Sequence, residues 1–254
     1  QLGLKTACVE SRGTLGGTCL NVGCIPSKSL LNLSENFHKV KKNYFEQGIE
    51  VSDVKLNMKK MMKNKDKSVQ TLTKGIEFLF KKNKVTYLKG KGVLFSKNDI
   101  VVYESNNKRI NIKAKNIVIA TGSDIASLPG VNIDEKNIVS STGALSFDKV
   151  PKKLAIIGGG YIGLEMGSVW SRLGSEVTVI EYLEYITPGM DREISNEFQK
   201  ILTKQGIKFK MGSKVESVKN KGNLVSIKYT NVKDSKEETV EVDKVLVSVG
   251  RKPY

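Results

Sequence analysis

Length, composition and charge set the broad class of this chain. Its 254 residues suffice for one or two domains with hydrophobic cores, and its 39% apolar residues are typical of a soluble globular protein. No apolar run reaches the roughly 18 to 20 residues of a membrane helix, so no membrane partner is expected. A net charge of +16 could suit nucleic-acid binding, but the lysines are dispersed without interleaved aromatic residues or a nucleic-acid motif. We interpret them as a solvated lysine-rich face without a nucleic-acid partner, although attraction to acidic partner surfaces stays open.

The chain begins with a pattern that returns further on. Residues 2–10 are typical of a helix end, a glycine turn and a strand that finishes on an acid, and they align without a gap on residues 173–181. In the second copy, a glycine loop at 158–163 precedes this pattern by one helix. The matching loop of the first copy would fall before Gln1. We therefore expect two nucleotide-binding units of one kind, the first without its loop.

A cysteine pair follows in residues 16–28, whose sequence is GGTCLNVGCIPSK. Cys19 and Cys24 stand five residues apart where an apolar helical pattern begins. A disulfide across so short a loop stabilises a fold little, because its effect grows with the logarithm of loop length. Near a helix N-terminus, which favours the thiolate, the pair suits a disulfide that opens and closes; the alternative is two packed, reduced thiols. Cys8, in a strand over 6–9, is expected to be a buried, unreactive thiol.

Helices and then short strands are predicted after the cysteines. Apolar spacing predicts that a helix continues over 30–42, where His38 is interpreted as a surface or core residue without a catalytic role, and that a long helix covers 54–83. Strand patterns follow at 84–88, 91–95, 100–104 and 109–113, the last two joined by a turn at Asn106–Asn107. Residues 117–122 predict a fully apolar strand that stops at a turn of small residues.

The second half alternates strands and helices. A connection rich in Ser, Pro and Gly covers 123–150. From Lys152 the pattern is strand, glycine loop, helix, strand, helix and further strands, the last over 245–249. This alternation predicts a parallel α/β arrangement.

The glycine loop of the second half carries a dinucleotide fingerprint. Gly158, Gly160 and Gly163 follow the apolar strand 154–157 and open a helix, and Glu181 comes 18 residues after the last glycine. Glycines allow the backbone to approach a pyrophosphate, whose charge lies at the helix N-terminus. Glu181 can accept both ribose hydroxyls and would repel the 2′-phosphate of NADP, so the pattern favours NAD. The alternative is a packing turn without a ligand.

The block at 16–28, with the glycine loop and the terminal segment 249–253, resembles the flavin-dependent pyridine nucleotide-disulfide oxidoreductases, and among them most closely the dihydrolipoyl dehydrogenases. The resemblance covers all 254 residues. It implies an α/β fold with two Rossmann-like nucleotide-binding domains: an incomplete FAD domain at 1–147, and an NAD domain at 148–254 that is inserted in it. The family's first glycine loop, its second flavin stretch and its C-terminal interface domain with a His-Glu pair have no match, so the chain alone is expected to be inactive.

The resemblance also assigns site residues, and it implies no metal site. Cys24 would face the flavin and Cys19 would be the interchange thiol. Lys28 would pair with Glu165 beside the flavin, although Glu165 could instead point to water. FAD is expected along Glu10, Gly16, Gly17, Thr18, Cys19, Lys28, Gly92, Thr121, Gly122 and Ser123. The NAD side is expected to include Gly158, Gly160, Tyr161, Ile162, Gly163, Glu165, Glu181, Val215 and Gly250.

The implied activity is the oxidation of dihydrolipoamide on a carrier protein, with electrons passing through the disulfide and FAD to NAD+. It would take place in a homodimer bound to the core of a 2-oxo acid dehydrogenase complex in the mitochondrial matrix; another organelle or the cytoplasm is the alternative. Glutathione and trypanothione reductases normally end the cysteine motif with Lys-Lys, whereas this chain has Ser27-Lys28. A mercuric- or glutathione-reductase-like enzyme stays an alternative. So do a non-catalytic NAD-binding fragment and a basic interaction protein.

Overall fold

The computed structural model describes residues 2–106 and 108–254, so Asn107 of the expected turn lies outside the described residues. The first half forms β1 (Ala7–Glu10), α1 (Gly17–Val22), α2 (Cys24–His38), α3 (Tyr44–Glu46), α4 (Met58–Lys82), β2 (Thr86–Lys89), β3 (Lys91–Leu94), β4 (Asp99–Tyr103), β5 (Arg109–Lys113) and β6 (Ser123–Ile125). The second half forms β7 (Ile138–Val139), α5 (Ser141–Ala144), β8 (Lys153–Ile157), α6 (Tyr161–Leu173), β9 (Glu176–Ile180), α7 (Arg192–Lys204), β10 (Lys208–Lys210), β11 (Ser213–Asn220), β12 (Val225–Asn231), β13 (Glu237–Val242), β14 (Lys244–Val247) and β15 (Arg251–Pro253).

The second half is built on a parallel sheet in the order β10-β9-β8-β14-β7. Its central strand β8 is buried from Leu154 to Ile157, because elements cover both faces of the sheet, and this explains the continuous apolar run in the sequence. A separate antiparallel sheet, β11-β12-β13, packs its apolar side chains with one face of the parallel sheet. This architecture confirms the predicted α/β class. The edge strand β7 lies ahead of residue 148, where the NAD domain was expected to begin.

The first half contains smaller sheets. β1 pairs with β2 in parallel, so that Cys8 stands opposite Tyr87, and β3-β4-β5 form an antiparallel sheet. These strands match the predicted ones to within about two residues, the usual uncertainty of element ends. The long helix α4 begins after Asn57, whose side-chain oxygen accepts the Lys60 N–H at 2.9 Å and caps the helix.

Helices α2 and α6 pack against each other and share one hydrophobic core. Leu30 of α2 is fully buried in the same cluster as Ile156 and Trp170, and Met61 and Met62 of α4 pack against that cluster. The helix that begins at Cys24 is thereby fixed to the helix that follows the glycine loop.

The strand predicted at residues 117–122 is wrong. The segment forms no strand, and Val118 and Ile119 are 86% and 71% exposed. A strand needs hydrogen-bonding neighbours, and none of the described strands pairs with this segment. The chain continues into β6, which pairs antiparallel with β15.

Among the described residues, no helix has both the length and the apolarity needed to cross a membrane.

Candidate functional site

The cysteine pair lies on two consecutive helices, the short α1 and the longer α2, that meet at Gly23. Cys19 is in α1, and α2 begins at Cys24; both side chains are at the surface. A Cβ at Gly23 would stand 3.0 Å from the Thr18 carbonyl oxygen and 3.1 Å from Cys19 Cα. Glycine therefore allows the start of α2 to lie close against α1, which brings the two cysteines together.

Cys19 and Cys24 carry free thiols in this structure, so the predicted disulfide is not formed. The proximity of Cys19 raises the pKa of Cys24, and burial acts in the same direction, while the Lys28 charge lowers it. The helix N-terminus favours the thiolate as expected, because a backbone hydrogen bond at Cys24 lowers its pKa, but the larger effect of Cys19 outweighs it. The alternative of thiols packed in a core does not hold either, because both are exposed. Their pairing as a redox disulfide stays a prediction.

The predicted contact between Lys28 and Glu165 is confirmed. The two residues are 137 positions apart, and the Lys28 ammonium forms an ion pair with Glu165 Oε1. The pair is open to solvent on the lysine side, because the Lys28 side chain is 61% exposed and that of Glu165 27%. The other carboxylate oxygen of Glu165 accepts the Ser27 hydroxyl at 3.0 Å. The cysteine helix and the glycine-loop helix are therefore joined by polar contacts as well as by their core.

The glycine loop has the geometry of a phosphate-binding turn. Gly158 has φ +106°, and a Cβ there would lie 2.6 Å from the Ser248 carbonyl oxygen. A Cβ at Gly163 would lie 2.5 Å from the Gly158 carbonyl oxygen, so the helix packs closely on the loop. Gly160 caps α6, with no side-chain hydrogen bond at the cap and open space where a Cβ would be. The first N–H groups of α6 are thus available to a pyrophosphate, which fits a bound dinucleotide.

Glu181 stabilises the glycine loop through hydrogen bonds from the backbone. Its carboxylate, in a residue only 8% exposed, accepts the N–H of Gly159 at 2.5 Å and that of Leu183 at 2.8 Å. Each oxygen can accept a further hydrogen bond, so the position also fits the ribose of an adenosine. The sequence predicted only the second of these roles.

The other expected NAD-side residues have varied surroundings. Tyr161 is 67% exposed and Ile162 is half-buried on the first turn of α6. Val215 packs against the core beneath the antiparallel sheet. Gly250 has φ +125°, and its carbonyl accepts the Ala126 N–H at 2.9 Å.

The expected FAD residues at the start of the chain fit one part of that cofactor. Glu10 ends β1 half-buried, and its carboxylate accepts the Arg12 N–H at 2.8 Å, the same local contact that Glu181 makes with Leu183. Only residues 2–6 of the described chain precede β1. The acid expected to bind the FAD ribose thus stands at the end of β1 with a local geometry like that of Glu181.

The remaining expected FAD residues lie in three places. Gly16, with φ +105°, caps α1, and Gly17, with φ +61°, is its first residue, followed by Thr18. Gly92 in β3 faces Val9, whose Cγ1 would lie 3.2 Å from a Cβ at that position. Thr121 and Gly122 are exposed, and Ser123 in β6 accepts a hydrogen bond from Arg251 Nε at 2.9 Å.

Three polar residues that support these sites were missed by sequence reasoning. Ser27 binds Glu165, and Asn21 donates to the carbonyls of Leu15 and Gly17 ahead of the cysteines. Ser248 Oγ lies 3.2 Å from the Gly158 carbonyl oxygen, under the glycine loop. The available signal was a polar residue within an apolar stretch, which for Ser27 stands beside Ile25-Pro26.

Comparison with known proteins places the chain in a family. The sequence profile described as pyridine nucleotide-disulphide oxidoreductase matches residues 1–254. Dihydrolipoamide dehydrogenase of Chaetomium thermophilum is 58% identical and mitochondrial dihydrolipoyl dehydrogenase of Schizosaccharomyces pombe 56%, each over 100% of this chain. The chain spans about half the length of these relatives, 51% and 50%. The Cu(II) complex of the HOCl-induced flavoprotein disulfide reductase RclA from Escherichia coli superimposes with a TM-score of 0.81 at 26% identity, over 99% of this chain and 52% of that one. The chain belongs to the pyridine nucleotide-disulphide oxidoreductase family.

Proposed function

We propose that this chain is the part of a dihydrolipoyl dehydrogenase that carries the reactive thiols and the NAD site, and that the complete enzyme oxidises dihydrolipoamide with NAD+. The contact of Ser27 and Lys28 with Glu165 carries the proposal. It holds the helix of the cysteine pair beside the helix of the dinucleotide loop, so thiol and nucleotide chemistry can be coupled. The names of the relatives at 58% and 56% identity support this substrate.

The thiol chemistry follows from the cysteine pair in its oxidised form. A thiolate of dihydrolipoamide attacks the sulfur of Cys19, the bond between Cys19 and Cys24 breaks, and Cys24 leaves with the electron pair as a thiolate. The second substrate thiol loses its proton to water and attacks the substrate sulfur bound to Cys19, which releases lipoamide and the Cys19 thiolate. The substrate is thereby oxidised by two electrons and the cysteine pair reduced by two.

The remaining residues stabilise the Cys24 thiolate and would bind the flavin. The Lys28 ammonium stabilises the Cys24 thiolate, since its charge lowers the pKa of that thiol against the larger effects of Cys19 and burial. FAD, when bound, would transfer the two electrons from the cysteine pair to NAD+. We infer that Glu10, Gly16 to Cys19, Lys28, Gly92 and Thr121 to Ser123 would hold it.

The NAD side would use the other half of the chain. We infer that the N-terminus of α6 binds the pyrophosphate, with Tyr161, Ile162, Val215 and Gly250 around the nucleotide. The Glu181 carboxylate would bind the ribose and disfavour the 2′-phosphate of NADP.

The organisation of the complete protein is inferred from the same resemblance. We infer an FAD domain up to residue 147, an NAD domain from residue 148, a homodimer, and attachment to the core of a 2-oxo acid dehydrogenase complex. The relative from Schizosaccharomyces pombe is named mitochondrial, which supports a place in the mitochondrial matrix.

The test is NAD+-dependent oxidation of dihydrolipoamide by the complete protein that contains this chain. Cys19→Ser and Cys24→Ser should each lower turnover by about a thousandfold or more, while Cys8→Ser, in β1, should leave it unchanged. Retained activity in Cys19→Ser would contradict the proposal. Preferred reduction of glutathione disulfide or mercuric ion with NADPH would support the alternative reductases instead.

A further inference from the structure

The hydroxyl of Ser27 lies shielded from solvent at the contact between α2 and α6. The residue is 6% exposed, and its Oγ stands 3.0 Å from Glu165 Oε2 and 3.1 Å from the Cys24 carbonyl oxygen. A hydroxyl has one proton, so it donates to one of these acceptors at a time. A bond to a carboxylate is stronger than one to a neutral carbonyl. Ser27 therefore donates to Glu165 while that residue is ionised.

The Glu165 carboxylate is thus held at both oxygens by partners of different mobility. Lys28 pairs with Oε1 through a side chain that is 61% exposed, whereas Ser27 binds Oε2 from a buried position. An exposed lysine loses side-chain entropy when it is held, so it fixes its partner weakly. Ser27 is the partner that fixes the carboxylate.

We propose that Ser27 is a positioning residue for the cysteine pair: it anchors Glu165, and Glu165 in turn keeps the Lys28 ammonium beside Cys24. Lys28 follows Cys24 by four residues on α2, so the two side chains share one face of that helix. Cys19 from α1 and, through Lys28, Glu165 from α6 are the other ionisable groups near Cys24. Without the Ser27 hydroxyl, the carboxylate and its ammonium partner turn towards solvent, and the positive charge moves away from the thiol. The consequence for turnover depends on the proposed function, but the effect on the thiol does not.

Ser34 provides a matched control on the same helix. It is fully buried, and its hydroxyl donates to the Leu31 carbonyl at 3.1 Å, the same backward contact that Ser27 can make with Cys24. It has no carboxylate partner among the described residues. Ser34→Ala therefore removes a buried hydroxyl from α2 without affecting Glu165.

The test is alkylation of the chain by iodoacetamide across neutral and alkaline pH, read peptide by peptide with mass spectrometry. In Ser27→Ala, Cys24 should react about threefold more slowly near pH 8 than in the parent chain, because less of it is thiolate when the nearby positive charge moves away. Cys8 in the same samples, and Cys24 in Ser34→Ala, should be unchanged. On a Glu165→Gln background, Ser27→Ala should have no further effect, since both changes act through one carboxylate.

An unchanged Cys24 rate in folded Ser27→Ala protein, or an equal loss in Ser34→Ala, would overturn the proposal. If Ser27→Ala does not fold, the nearly isosteric pair Ser27→Thr and Ser27→Val decides: the hydroxyl-bearing variant should keep the parent rate, and equal rates in the two would overturn the proposal. The assay needs neither FAD nor turnover. Its failure is therefore distinct from failure of the proposed function.

Discussion

Glu35 of α2 and Arg172 of α6 are joined at 3.0 Å, eight residues beyond Ser27 on one helix and seven beyond Glu165 on the other. The two helices are thus tied at both ends of their contact. Because the side chains are 34% and 23% exposed, this arginine–glutamate pair is less screened than most lysine–glutamate pairs on the surface.

Arg172→Ala should lower the free energy of unfolding by about 0.5 to 1 kcal/mol, through the lost ion pair and the lost packing of the arginine stem. Urea unfolding monitored by circular dichroism measures this. Lys200→Ala is the control, because its pair with Glu197 is 66% and 59% exposed and should contribute almost nothing. Equal effects of the two substitutions would show that the contact between α2 and α6 does not depend on Arg172.

Two substitutions in the glycine loop should have different effects, one on stability and the other on NAD+ binding. Gly163→Ala should destabilise the chain by about 1 to 3 kcal/mol, because the added methyl group would overlap the Gly158 carbonyl. Gly160→Ala, at an open position, should leave stability nearly unchanged but weaken NAD+ by about tenfold or more, since the methyl group would occupy the space of the pyrophosphate. Urea unfolding measures the stability of the two variants, and calorimetry measures their affinity for NAD+. Unaltered NAD+ affinity in Gly160→Ala would place the phosphates elsewhere.

Glu181 should determine both nucleotide choice and the shape of the loop. Glu181→Arg removes the repulsion of a 2′-phosphate, so the ratio of NADP+ to NAD+ affinity should rise. It also removes the acceptor of the Gly159 and Leu183 N–H groups, so NAD+ itself should bind about tenfold or more weakly. Calorimetry with both nucleotides measures the two effects. Glu184→Gln, a neighbour whose carboxylate pairs with Lys233 at the surface, should change neither.

Stability should fall in acid partly through Glu238. Hydrogen bonds from Lys210 and Tyr229 to its carboxylate, at 2.7 and 2.8 Å, lower the pKa of Glu238. A carboxyl group whose pKa is lower in the folded state stabilises the fold above its unfolded pKa, and this contribution is lost as the pH falls through the folded value. Glu238→Gln should therefore weaken the loss of stability between neutral and acidic pH in urea unfolding. An identical pH dependence in both proteins would exclude this network as a cause.

The chain should bind NAD measurably. The glycine loop, Glu181 and the closing strand expected on the NAD side all lie within residues 152–254. Calorimetry with NAD+ measures this, and no detectable binding would contradict it.

The contact between Lys28 and Glu165 could be predicted because each belongs to a recognisable motif. The companion contact of Ser27 could not, because a serine in an apolar stretch is equally compatible with a bond to its own helix, as Ser34 shows. The net direction of the Cys24 pKa could not be predicted for a related reason. The effect of a helix end on a thiol can be predicted from sequence. The effect of a neighbouring sulfur cannot, because it depends on the distance between the two atoms, which only the structure gives.

The sequence by itself determined the features whose physics is local: the φ of +106° at Gly158, the buried run of β8, and the proximity of two cysteines five residues apart. Only the tertiary structure decided features that need a partner from elsewhere in the chain. Residues 117–122 are apolar enough for a buried strand, yet no described strand lies beside them to accept their hydrogen bonds. β7, by contrast, lies in a stretch predicted as a connection. It joins the parallel sheet because it pairs with the edge of β14. An apolar pattern predicts that a segment favours burial. Whether the segment is buried depends on whether the fold places another element beside it.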